Sequence, residues 1–140
     1  MRFTTVLRAA AAAGGISLVV GCATSPIGSG EASLGHPIPN EWQLQAPNTG
    51  KFVVTRDSGL MGAACSQRIY VDGTPIGDLR TGQKVTVYLP AGEHVAGVKP
   101  SGICGGGSAS AQVVMAVGAT KVYRVASGQS GDVKIEPSAF

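Results

Sequence analysis

From residue 51 onward, apolar side chains recur at every second position in short runs bounded by Gly, Pro, Asp and Ser. That period puts one face of an extended chain in a core and the other outside, and it predicts strands. The runs are 52–56, 67–71, 74–79, 84–89, 93–99, 110–117, 121–126 and 132–136. Strands spaced by roughly ten residues favour a small sandwich or barrel. Asp72-Gly73 separates two runs directly. Such a pair is a strong hairpin signal, because both positions of a tight two-residue turn take positive φ. Pro75 cannot donate to a ladder, so the run 74–79 suits an edge. Pro90-Ala91-Gly92 and Gly118-Ala119 mark further turns. Beyond residue 21 no stretch sustains a 3.6-residue period, and no helix is predicted there.

The first 21 residues have another texture. Arg2 and Arg8 flank a start without acids, residues 9–20 are apolar or small, and Val19-Val20-Gly21-Cys22 closes the segment. A basic start, a short apolar core and a small residue before a cut define a secretory signal. The core falls short of the roughly 20 apolar residues of a comfortable membrane span. Val19, Val20, Gly21 and Cys22 together resemble the lipobox of bacterial lipoproteins. The resemblance implies that the Cys22 thiol takes a lipid, that a peptidase cuts before it, and that the chain is tethered to a membrane. Residue 23 is Ala, not Asp; by the same resemblance this favours the periplasmic face of the outer membrane.

The segment 1–21 therefore reads as a signal peptide, 22–50 as a lipidated cysteine and flexible tether, and 51–140 as the domain. Residues 23–50 hold Pro26, Pro37, Pro39 and Pro47 among Gly, Ser and Asn, a composition that resists packing. Trp42 stands out there, either docking on the domain or binding a partner. The whole chain carries a net charge of +3; without Arg2 and Arg8, nine basic and eight acidic side chains remain. A near-neutral chain without a basic run argues against nucleic acid as a partner. With Cys22 assigned to lipid, Cys65 and Cys104 remain, and an even pair in an oxidising compartment reads as a disulfide.

Three strings stand together between residues 69 and 98: Ile69-Tyr70-Val71-Asp72-Gly73, Pro75-Ile76-Gly77-Asp78-Leu79 and Leu89-Pro90-Ala91-Gly92-Glu93-His94. They resemble PEGA-type surface domains and related lipoprotein domains. The likeness extends more loosely to Arg56-Asp57-Ser58-Gly59 and to Gly102-Ile103-Cys104-Gly105-Gly106-Gly107. It implies an immunoglobulin-like or transthyretin-like antiparallel β-sandwich, and it supplies no catalytic residues to carry over. The cysteine pair is a departure from the general pattern.

Candidate chemistry is sparse. Gly105-Gly106-Gly107 lacks the following Lys and helix of a phosphate-binding loop. Cys65, Cys104 and His94 lack the short spacings of a metal site, and no metal or cofactor is expected. Asp57, Asp72, Asp78 and Asp132 fall in or beside turns, where Asp bonds local backbone. Phe140 is expected to pack on the sandwich. The expectation is a non-enzymatic, lipid-anchored envelope module whose partner is another envelope protein or peptidoglycan. Exposed turn positions Arg56, Asp57, Arg80, Lys99, Gly105 and Gly106 are its candidate contacts. The alternative is a small-ligand carrier or enzyme using a cleft beside Cys104.

Overall fold

All eight alternating runs are strands. The computed structural model describes residues 24–60 and 62–139. Val19, Val20, Gly21, Cys22 and Phe140 lie outside the described residues. The strands are β1 (Ser33–Leu34), β2 (His36–Pro37), β3 (Thr49–Arg56), β4 (Gln67–Val71), β5 (Thr74–Leu79), β6 (Gln83–Pro90), β7 (Gly92–Pro100), β8 (Ala109–Met115), β9 (Thr120–Ser127) and β10 (Val133–Pro137). They form two sheets, in the orders β1-β6-β3-β9-β10 and β2-β5-β4-β7-β8. The fold is an all-β sandwich.

The alternation explains the core. Phe52, Val54, Val85, Val87, Leu89 and Val125 of one sheet face Ile69, Val71, Ile76, Leu79, Val98 and Val113 of the other. Phe52 meets Tyr123 edge to face, with ring centroids 5.4 Å apart. The Tyr123 hydroxyl donates to the Gln112 carbonyl at 2.8 Å, which ties β9 to β8 across the sheets. Asp72 and Gly73 take φ values of 48° and 80°, the positive pair that the hairpin between β4 and β5 requires.

Two features differ from the expected antiparallel sandwich with simple returns. β3 pairs with β9 in parallel, and β1 pairs with β6 in parallel. Parallel neighbours need a long crossover, and β4 to β8 supply it for β3 and β9. The turns at 90–92 and 118–119 also carry the chain from one sheet to the other. Turn residues specify a change of direction, not the sheet that receives the next strand.

The segment expected as a flexible tether is the larger correction. Residues 24–48 lie along the sandwich as a strap, and Thr49 and Gly50 already belong to β3. Ser25 bridges Ser58, β1 pairs with β6, and β2 pairs with β5. Trp42 packs against the core, and its carbonyl accepts from the Tyr88 N–H at 2.8 Å. Docking is thus the outcome for Trp42. Composition speaks against packing, but the strap takes its hydrogen bonds from β5 and β6 and needs few apolar residues of its own.

At Gly35 the strap crosses from one sheet to the other. A Cβ there would collide with Leu79 Cδ2 and stand 3.1 and 3.2 Å from the Asp78 and Lys84 carbonyl oxygens. Gly35→Ala is expected to cost about 1–3 kcal/mol, the range for overpacking. It should also expose Trp42, seen as a red-shifted emission and faster proteolysis between residues 36 and 50. An unchanged melting temperature and emission would show that the corner has room.

Candidate functional site

The strand directions gather the connections 57–66, 80–82, 101–108 and 128–132 at one end of the sandwich, the base, together with Thr24 and Ser25. Residues 46–48, 72–73, 91 and 116–119 lie at the opposite end, the crown.

Arg56 and Asp57, expected as exposed contacts, are each 1% exposed. The reason is their place: they continue β3, the middle strand of its sheet, beneath the base loops. Successive strand residues face opposite ways, so the two side chains part. Arg56 follows Phe52 and Val54 inward. Its Nη1 donates to the carbonyls of Cys65 at 2.5 Å and Leu79 at 2.9 Å, and its Nη2 donates to Gly62 at 2.7 Å. Burial pulls its pKa below the ordinary arginine value. Asp57 faces the other way. Its Oδ2 lies 3.2 Å from Arg124 Nη2 and accepts from Thr24 Oγ1 at 3.3 Å. Burial raises the Asp57 carboxyl above the ordinary range, against the pull of Arg124 and Thr24. Both residues hold the base together and neither is offered to a partner.

The expected disulfide is present: Cys65 and Cys104 are bonded, with Cα atoms 6.0 Å apart. It joins loop 57–66 to loop 101–108, beside the bond from the Ser101 N–H to the Ser66 carbonyl at 2.9 Å. A crevice of about 130 Å³ lies next to it, lined by Gly62, Cys65, Gln67, Gly105 and Ser127 among others. Gln67 Oε1 and Ser127 Oγ are buried without a protein partner, a setting that suits ordered water. Small-molecule sites occupy about 300–1,000 Å³. The crevice is smaller than that, and both sulfurs are held in the bridge.

The outer face of the second sheet carries a wider groove of about 350 Å³, lined by Tyr70, Val95, Gly97, Lys99 and Ala109 among others. Tyr70 stands opposite Gly97 in the ladder, so no side chain rises beside the ring there. Lys99 Nζ sits 4.8 Å from the Tyr70 ring centroid, within reach of a cation–π attraction. Lys99 is thus the one sequence candidate in the groove. Arg80, Gly105 and Gly106 are exposed at the base instead. Tyr70 was missed, though its place between inward Ile69 and Val71 marks it as an outward aromatic. Among the described residues, no three His, Cys, Asp or Glu side chains converge on a common point.

At the crown, His94 Nδ1 lies 2.7 Å from Asp72 Oδ2 and Nε2 lies 2.9 Å from the Pro90 carbonyl. Both neighbours accept, so the pair of bonds is complete only when both ring nitrogens carry protons. Burial lowers the His94 pKa, but the bonds to Asp72 and Pro90 and the Asp72 charge outweigh it, and the value is raised. For Asp72, burial raises the pKa, but the bonds from His94 and the Val95 N–H outweigh it, and the value is lowered. A raised His pKa gives stability present below its unfolded value, about 6.5, and lost as pH climbs through the folded value. A lowered Asp pKa gives stability present above about 3.9 and lost as pH falls through the folded value. The stability gap between wild type and His94→Gln, from urea midpoints, is expected to be widest between those limits and to shrink as pH climbs through the folded His94 value. A gap independent of pH would remove the ion pair from the account.

Comparison with known proteins gives no matching family and no matching curated protein.

Proposed function

We propose that the chain is a bacterial envelope lipoprotein, anchored through lipid on Cys22, whose sandwich is a non-enzymatic interaction module. One observation carries the reading. The chain has three cysteines, and the bridge consumes Cys65 and Cys104. The remaining one is Cys22, placed directly after a signal-like segment. A disulfide also fits an oxidising compartment. Ala23 favours the periplasmic face of the outer membrane. The likeness of residues 69–98 to PEGA-type surface domains supports an interaction role. The Tyr70–Lys99 groove is the face best suited to a partner, an envelope protein or peptidoglycan, since an aromatic floor beside a cation accepts either a side chain or a sugar ring.

The test is Cys22→Ser in a Gram-negative host, with fatty-acid labelling and membrane fractionation. The wild type is expected to take label and sediment with membranes. The variant is expected to lose the label and become soluble. A variant that still sediments would overturn the anchor.

A further inference from the structure

Resting on that anchor, we infer that the base of the sandwich lies directly on the bilayer, with Leu60 and Ile103 entering the membrane interface. The strap removes the spacer that the sequence promised. Thr24 Oγ1 bonds Asp57, and Ser25 exchanges two backbone bonds with Ser58, at 2.9 and 3.0 Å. Gly59 lies against Thr24, whose Cα would stand 3.3 Å from an added Cβ. Two residues of chain span at most about 7 Å, so a lipid on Cys22 can start no farther than that from Thr24, which lies against the Ser58–Gly59 turn.

The side chains at that end suit an apolar surface. Leu60, which follows Gly59, is 93% exposed, and Ile103 is 105% exposed; they are the two most exposed large hydrophobic residues among those described. Ile103 precedes Cys104, whose bond to Cys65 fixes its loop to the loop of Leu60. The two apolar tips and the start of the strap therefore share one end of the sandwich. The exposed charges of the base loops include both signs, Arg80 and Asp132, which favours apolar insertion over attraction to anionic lipid. In this pose the Tyr70–Lys99 groove stands on the flank, and Trp42, bonded to Tyr88 toward the crown, is held away from the lipid.

The test uses the full lipidated protein in zwitterionic phospholipid vesicles with brominated acyl chains, which quench nearby tryptophan. Wild-type protein has a single tryptophan, Trp42, and gives the reference. Leu60→Trp and Ile103→Trp add one emitter each at exposed positions, where folding tolerates the change. The added emission is expected to be quenched several-fold more strongly than that of Trp42. Protein that floats with the vesicles, but whose added emission is quenched no more than that of Trp42, would overturn the inference and leave the anchor standing. So would quenching that appears only with anionic vesicles. Protein that does not float would overturn the anchor itself, and the inference with it.

Discussion

Arg56→Ala is expected to destabilise the domain by about 3–5 kcal/mol, since three carbonyls lose their donor at roughly 1–3 kcal/mol for each that is fully buried. Small domains have about 5–15 kcal/mol in all, so the variant should melt more than about 12 °C lower or fail to fold. Cys65, Leu79 and Gly62 all point oxygens at one guanidinium, the Leu79 carbonyl fully buried and the other two partly, and a buried acceptor left alone costs desolvation without return. Arg56→Met separates this from packing, since methionine restores much of the volume and none of the donors. A methionine variant that melts like wild type would show that the carbonyls find other partners. Arg56→Lys should fall between, because an ammonium has three donors but cannot fan them across three separated acceptors.

Loss of the disulfide is the second large effect. The cysteines are 39 residues apart, and closing such a loop stabilises by about 4 kcal/mol in the chain-entropy model. Cys65→Ser with Cys104→Ser, followed by urea, is expected to show most of that loss. The two effects should not add. Arg56 donates to the Cys65 carbonyl itself, so both changes release loop 57–66, and contacting sites couple. The triple variant is expected to lose less than the sum of its parts. Equal urea midpoints for bridged and serine forms would show that the loops stay in place without the bond.

The strands were legible because alternation is a local signal. Gln67–Val71 and Thr74–Leu79 begin and end where the pattern says, with the Asp72-Gly73 turn between them. Arg56 and Asp57 were misplaced because polar residues before Ser58-Gly59 look like the end of a strand at the surface. Arg56 finds its partners at residues 62, 65 and 79 and Asp57 at Thr24 and Arg124, none adjacent in sequence, and no local pattern reports them. The strap was hidden for the same reason. Its partners, Ser58, Gly77, Asp78, Gln83 and Lys84, lie between 33 and 50 residues downstream. The disulfide was legible from cysteine parity, while the groove at Tyr70 depends on its facing Gly97 from another strand.

The two shortest strands have a consequence for association. β5 and β6 are each last in their sheet except for β2 and β1. Without the strap, both would present open backbone on the same side of the molecule, a ready template for another chain. Ser33–Leu34 and His36–Pro37 occupy that backbone, and Pro37 and Pro39 offer no N–H to a newcomer. Two residues on each edge suffice to break up a continuous ladder, so the strap does for solubility what a longer strand would undo.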